Sequence, residues 1–347
     1  MRDPFDTCVP ALTPAPAPWR AAARAEPASE AAHDALLHAP EAAGLHAIRQ
    51  TGTASGGPDG PFTAIAWNIE RGGDAAKLID LMRTRDPAIV LLTEVDMGLA
   101  RTDNRDITAE VGAALGMESV YAVEFLELGE GNERETTYAA GRQSTFGFHG
   151  NAVLSAYPIR KAFVIPLNDR GKWFVTAPDP LQRRVGGRNA IGAIVETPMG
   201  PLTLVSVHLE SHTDAADRAA QMAIAYDGIA AAGGAHPIII GGDLNTKNCS
   251  AATLEVAGFD AATDQEPLFA DGAARGYDWK AQNTLERTTR PREWYKIIKP
   301  PRRLDWLLSR GLNASDPATM PAFGPDGHTI SDHDGVVATF AFAPRLL

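Results

Sequence analysis

Six short polar words punctuate hydrophobic runs of strand length between residues 68 and 333 of this chain. They are AWNIE (Asn68, Glu70), LLTEVD (Glu94), VSVHLES (His208), IIIGGDLN (Asp243, Asn245), RLDWLL (Asp305) and ISDHDG (Asp332, His333). Groups so distant in sequence meet only where their strands lie side by side. The pattern therefore predicts a β-rich core with carboxylates, amides and imidazoles gathered at one edge. Carboxylate oxygens in such a place suit a hard cation such as Mg²⁺, with Mn²⁺ as a substitute. Histidines beside aspartates suit proton transfer and water activation.

The rest of the composition narrows the class. A chain of 347 residues exceeds the usual single-domain size, but a large layered α/β domain accommodates it. The formal net charge of −11 argues against a general nucleic-acid binder, which needs a basic footprint. No apolar run reaches the roughly 18 residues of a membrane span. The N-terminal stretch, broken by proline and charge, lacks the apolar core of a secretory signal. Two cysteines, Cys8 and Cys249, allow at most one disulfide, and a reducing, cytoplasmic setting is expected. Walker A, GxSxG and zinc-type Cys/His patterns are absent from the sequence.

Residues 1–60 are Ala/Pro-rich and close on TGTASGGPDGP, so they are expected to form an extension, partly disordered or with short helices. The catalytic domain is expected over 61–347. FTAIAWNI and AIVLLTEV read as strands, and the residues between them as a helix with Ala75, Leu78, Ile79 and Met82 on one face, stopped before Pro87. ITAEVGAALGM is a second helix that stops at Gly116. The segment RNAIGAIVETPMGPLTLVSVHLE reads as a hairpin, TDAADRAAQMAIAYDGIAAAGG as a helix capped by Thr213 or Asp214, and PIIIGGDLN, LDWLLS and VVATFAF as strands. The polar, glycine-rich stretch 129–150 reads as a long loop. Interleaved strands and helices predict a mixed-sheet α/β layered architecture.

Asn68 and Glu94 end strands that should be central, where a polar group without a partner costs ~1–3 kcal/mol. Glu70, two residues on, is expected on the same side of an extended chain, as a second metal ligand or an orienting group. In GGDLN the two glycines are expected to turn the backbone tightly and offer Asp243 and Asn245 on one side. Asp305 is expected to orient an imidazole, and His208 to donate to a phosphate. Arg183, Arg184 and Arg188 precede a strand. The run 287–303 holds seven positive residues against one negative, with Trp294 and Tyr295, and reads as a rim for an anionic substrate. Arg218 and Gln221 are placed to brace the loop after HLES.

Taken in order, these words resemble the endonuclease/exonuclease/phosphatase superfamily with its deoxyribonuclease-I-like fold, from about Phe62 to the C-terminus. The resemblance implies a four-layer sandwich, two packed mixed β-sheets flanked by helices, with the site at one edge. It implies a Mg²⁺ site at Asn68 and Glu94, with Glu70 close by and Asp332 as the acidic neighbour. By the same resemblance His208 contacts phosphate, Asp243 and Asn245 form the GDLN pair, and Asp305 with His333 is the general-base couple. HGNAVLS is similar to the sphingomyelinase-like and related bacterial branches, which adds Asn151 as a candidate substrate contact; Arg188, from the basic residues that precede a strand, is the other. The expectation is a Mg²⁺-dependent phosphodiesterase acting by in-line attack of water on a small molecule or lipid headgroup. A DNA or RNA nuclease is the alternative, and a catalytically silent binding scaffold the alternative of another class.

Overall fold

The computed structural model describes residues 2–167, 171–177, 180–233, 235–292 and 300–343. Trp294 and Tyr295, expected to stack against substrate, lie outside the described residues. In chain order the strands are β1 Cys8–Val9, β2 Ile48–Thr51, β3 Phe62–Arg71, β4 Pro87–Met97, β5 Glu118–Glu127, β6 Phe148–Ser155 and β7 Ile159–Pro166. There follow β8 Arg184–Gly186, β9 Asn189–Thr197, β10 Gly200–His208, β11 Ile238–Asp243, β12 Asp305–Arg310, β13 Leu312–Met320 and β14 Gly335–Phe342. The helices that matter below are α1 Ala17–Ala25, α2 Glu30–Leu37, α3 Ala75–Arg83, α4 Ile107–Leu115, α5 Glu133–Tyr138, α6 Lys172–Val175 and α7 Ala215–Gly233.

The strands form two mixed sheets. The larger runs β1-β2-β5-β6-β4-β3-β14-β13, with β8 paired to β5, and the smaller runs β12-β11-β10-β9-β7. The pairs β3/β4 and β10/β11 are parallel. The sheets pack face to face, and Leu91, Leu204, Ile239 and Leu307 lie in one buried cluster between them. Helices cover the outer faces. Leu78, Met82 and Val111 from α3 and α4 pack on the larger sheet, and Met222, Tyr226 and Ile229 from α7 on the smaller. This is the four-layer arrangement, and it follows from the periodicity of the helices: each presents one apolar stripe, which must be buried against a sheet face.

Local signals explain most boundaries. Asp106 accepts from Ala109 N at the start of α4, and Gly116 closes it in the left-handed conformation, φ 65°. Asp214 caps α7 by accepting from Asp217 N at 2.9 Å. The 129–150 stretch is not a bare loop. Asn132 and Glu135 make a reciprocal capping box that nucleates α5 within it.

Two backbone expectations are corrected. The glycines of GGDLN sit inside β11 rather than in a turn. A Cβ on Gly241 would come within 2.7 Å of Ala66 Cβ and 2.8 Å of Leu91 Cδ1 in the facing sheet, so the residue is a packing requirement. Gly242, at φ +145°, would place a Cβ 2.0 Å from Val207 O. The backbone at Glu70 is not extended either. The register of β3 against β4 breaks between Asn68 and Arg71, and Glu70 and Arg71 take φ 44° and 75°. That break sends the two side chains away from the simple alternation of a strand.

Residues 2–60 contain α1 and α2, and also β2, which the sequence reading does not anticipate. β2 pairs antiparallel with β5 through Ile48↔Ala122 to Thr51↔Ser119, so the larger sheet continues across residue 60.

Candidate active site

Strand register assembles one half of the site. In the smaller sheet His208 lies opposite Asp243, and Asp243 opposite Asp305. Three chemically useful side chains therefore stand in a row at the ends of β10, β11 and β12. The larger sheet contributes Asn68 from β3 and Glu94 from β4. His333 arrives from the segment before β14, and that segment is tied to β3. Ser331 Oγ donates to Asn68 O at 2.7 Å, His333 N donates to Ser331 Oγ at 3.1 Å, and Trp67 Nε1 donates to His333 O at 2.8 Å.

Asp305 and His333 form a buried acid–imidazole pair, Oδ2 to Nδ1 2.7 Å. Thr288 Oγ1 accepts from Leu304 N and Asp305 N and so pins the backbone beneath the carboxylate. Burial opposes a charge on His333, but the carboxylates of Asp305 and Asp243 prevail and hold its imidazolium well above the ordinary value. Its Nε2 lies 3.8 Å from Asp243 Oδ2. His208 Nε2 approaches the same oxygen at 3.6 Å, and Asn68 Nδ2 at 3.1 Å. Asp243 Oδ2 is thus the centre of the constellation. Asn245, at φ 48°, donates its backbone N–H to Asp243 Oδ1 at 2.8 Å and its amide to Leu209 O at 2.9 Å.

The tautomer of His208 follows from its neighbours. Arg188 Nη1 lies 2.7 Å from Nδ1, and a guanidinium only donates, so Nδ1 accepts and the proton sits on Nε2, facing the site. Glu124 Oε2 is also near Nδ1, but at 3.4 Å, and the shorter contact decides. Arg188 is itself held by Glu124 at 3.2 Å and Glu210 at 3.3 Å. Burial alone would raise the Glu210 carboxyl, but Arg188, the His212 N–H and the Trp173 indole bring it down to about 2.

A divalent cation fits the oxygen donors. Glu94 Oε1 and Asp243 Oδ2 lie on either side of Asn68 Nδ2, at 3.2 and 3.1 Å, so two carboxylates and an amide converge, with Asn68 Oδ1 accepting from Glu70 N at 3.1 Å. Asp305 Oδ1 is buried and has no hydrogen-bond partner among the described residues. Among the described residues, ligand atoms of Asp243, Asp305 and His333 also lie within 4.8 Å of one another. Glu94 pairs with Arg71. Burial would raise this carboxyl, but Arg71 and the nearby histidines hold it well below the usual range.

Glu70 is placed differently from Glu94. Its Oε2 accepts from Arg292 Nε at 2.5 Å and from Asp332 N at 2.9 Å. Burial and the charge of Asp332 push its carboxyl up to about 8, against the pull of Arg292. Asp332 therefore meets Glu70 through its backbone, and its carbonyl accepts from Arg290 N at 2.7 Å. Asn151 is fully buried, and its amide donates to Asn189 O and Oδ1, beneath the Arg188 cluster rather than on an open surface. The described part of the 287–303 run is only in part a solvated basic rim: Arg287 is exposed and Arg302 half-buried, whereas the other described arginines turn inward. Arg290 pairs with Asp334, Arg292 with Glu70, and Arg303 is buried over the Trp306 ring. Gln221 Oε1 accepts from Glu210 N at 3.0 Å and Arg218 donates to Thr213 O at 3.0 Å, so both brace the loop after His208.

Sequence reasoning missed Glu124, Glu210, Arg71, Thr288 and Ser331. Glu124 left a signal: a charge inside the apolar run SVYAVEFLEL needs a buried partner. For the others the decisive partners are remote in sequence: Arg188 for Glu210, Glu94 for Arg71, Asp305 for Thr288 and Asn68 for Ser331.

No match was found among curated proteins. Solved structures are similar at low identity. An endonuclease/exonuclease/phosphatase from Beutenbergia cavernae is 17% identical with TM-score 0.57, over 82% of this chain and 72% of that one. A functionally unknown conserved protein from Enterococcus faecalis is 14% identical with TM-score 0.53, over 81% and 100%. Truncated TDP2 from Caenorhabditis elegans is 19% identical with TM-score 0.50, over 82% and 98%. These likenesses show the deoxyribonuclease-I-like fold. The model of the Endonuclease/Exonuclease/phosphatase family, whose members are metal-dependent hydrolases of phosphate esters, matches residues 65–333. With the family's words gathered at one sheet edge, the chain belongs to the endonuclease/exonuclease/phosphatase family.

Proposed function

We propose that this protein is a Mg²⁺-dependent phosphodiesterase acting on a small molecule or a lipid headgroup. The observation that carries the reading is the convergence of His208 Nε2, His333 Nε2 and Asn68 Nδ2 on one oxygen of Asp243. Asn68 and Glu94 would hold the cation, with Asp243 beside them. When bound, Mg²⁺ supplies charge neutralisation at the phosphate and at the leaving oxygen. The chain's own residues do the rest. Asp243 Oδ2, ringed by donors, orients a water and accepts its proton. His208, with its proton fixed on Nε2 by Arg188, donates to a phosphoryl oxygen. His333, held protonated by Asp305, adds a second positive donor to the same developing charge. Asn245 is at hand to hold a phosphoryl oxygen without adding negative charge, and Asn151 supports Arg188 from below.

The small-substrate preference rests on charge. A net −11 disfavours a long polyanion, and Arg290 and Arg292 of the 287–303 run are paired within the protein. Two free thiols, one exposed, suit the reducing cytoplasm. Among the described residues no helix is long and apolar enough to cross a membrane.

The test is hydrolysis of bis-p-nitrophenyl phosphate against p-nitrophenyl phosphate, with Mg²⁺, Mn²⁺ or EDTA. Metal-dependent cleavage of the diester, lost in Asp243→Asn, is expected. Faster cleavage of single-stranded DNA or RNA than of any small diester would shift the assignment to a nuclease. No turnover of any phosphate ester would leave a binding scaffold.

A further inference from the structure

The segment that presents Arg188 is clamped from both sides. On its inner side Gly187 N donates to Glu124 O at 2.8 Å. Gly186, at φ +121°, would place a Cβ 2.1 Å from the same carbonyl, so only glycine lets this stretch lie flush on β5. On its outer side lie residues of the N-terminal extension. Arg2, buried, donates through Nη2 to Gly187 O at 2.7 Å and through Nη1 to Val123 O and Leu45 O, both at 3.0 Å. His33 Nε2 sits 3.1 Å from Gly186 N and 3.0 Å from its carbonyl. Arg183 Nη1 reaches Arg24 O at 3.0 Å and Glu26 O at 2.7 Å. The carbonyl that Arg2 grips belongs to the residue directly before Arg188.

We propose that Arg2 and His33 are positioning residues for the phosphate-binding side of the site: they set the 183–188 segment so that Arg188 keeps His208 in its Nε2–H form. The inference rests on the role given to His208 above. Its physical basis is the leverage of a short, hydrogen-bonded segment. Among the described residues Arg188 reaches His208, Glu124 and Glu210, and the one that matters to the reaction is the 2.7 Å contact with Nδ1. If Gly187 drifts, Glu124 and Glu210 still hold the guanidinium by charge, but the bond to Nδ1 lengthens and Glu124 Oε2, 3.4 Å from Nδ1, becomes free to accept a hydrogen bond from an Nδ1–H. The tautomer then reverses, and His208 loses its donor toward the phosphate. A misplacement on the order of 1 Å costs up to about a hundredfold in rate.

The experiment uses the full chain with Arg2→Met and His33→Phe, each alone and in an Arg188→Lys background. Mn²⁺-supported hydrolysis of bis-p-nitrophenyl phosphate, Mn²⁺ affinity, melting temperature and the ¹⁵N spectrum of the His208 ring are measured. Each single substitution should lower kcat about tenfold at unchanged Mn²⁺ affinity and move the His208 spectrum toward the Nδ1–H form. In the Arg188→Lys background neither should lower kcat further, because the path through Arg188 is already cut. Equal losses in both backgrounds, losses that track the folded fraction, or an unmoved His208 spectrum would overturn the proposal. If Arg188→Lys and His208→Gln themselves keep wild-type rates, it is the site reading that fails. If those two lose activity while Arg2→Met and His33→Phe do not, only the positioning role fails.

Discussion

Replacing Asp305 by Asn is the most informative single change to the site. The carboxylate is fully buried and bonded to His333 Nδ1 at 2.7 Å. It orients the ring with Nε2 toward Asp243, and it sustains the positive charge there. An ion pair whose charge centres lie roughly 4 Å apart is worth about 4 kcal/mol at an effective dielectric constant of about 20. Desolvation of both partners offsets most of that in the folded protein, and His333 can neutralise itself once its partner is gone. The stability change should therefore be modest, about 1–3 kcal/mol. The rate should fall far more, by three to four orders of magnitude. The amide cannot sustain the imidazolium, and its NH₂ group can invert the ring's tautomer, the same logic that governs an Asp–His pair in hydrolases generally. The assay is kcat for bis-p-nitrophenyl phosphate, with thermal melting as the control for folding. A folded Asp305→Asn protein retaining more than about a tenth of the wild-type kcat would refute the reasoning, since no other described carboxylate contacts His333 Nδ1 at hydrogen-bond distance.

Three further outcomes are expected. Glu94→Gln should weaken Mn²⁺ binding at least tenfold, by titration of the free protein, because a hard cation loses one of its charged oxygen donors; unchanged affinity would remove Glu94 from the cation site. Glu210 is held near 2 in the folded chain against an ordinary 4.5, so its contribution is complete above pH ~4.5 and disappears as pH falls toward 2. That contribution is about 3 kcal/mol at most, and Glu210→Gln should flatten the fall of melting temperature over this window, whereas parallel curves would count against the pairing. Gly241→Ala should destabilise by about 1–3 kcal/mol, read by denaturant unfolding, because the new methyl meets Ala66 and Leu91 of the facing sheet; an unchanged midpoint would mean the sheets separate without cost.

Much of the site was legible before the fold was known. A polar residue closing a long apolar run has few readings, and Asn68, Glu94, His208, Asp243, Asp305 and His333 all come together as those runs suggest. An extended strand would keep Glu70 on the side of Asn68, but the left-handed residues after Asn68 turn it toward Arg292 and Asp332 N. The basic run 287–303 shows the converse limit. Its composition suggests a substrate rim, but composition does not say which cations meet carboxylates of the same chain: Arg290 and Arg292 do, whereas Arg287 stays exposed.

The sequence by itself determined the elements and their buried faces, because periodicity in apolar residues and capping side chains act within a few residues of one another. It thereby determined the layered architecture and the edge where chemistry gathers. Only the tertiary structure decided what each charged group faces. The register of β10, β11 and β12 set His208, Asp243 and Asp305 in a row, and β2 carried the N-terminal extension into the larger sheet. Glu124, 64 residues from Arg188, completed the clamp on His208. Such pairings join residues remote in the chain, and their strength depends on a burial that exists only once both sheets have closed on each other.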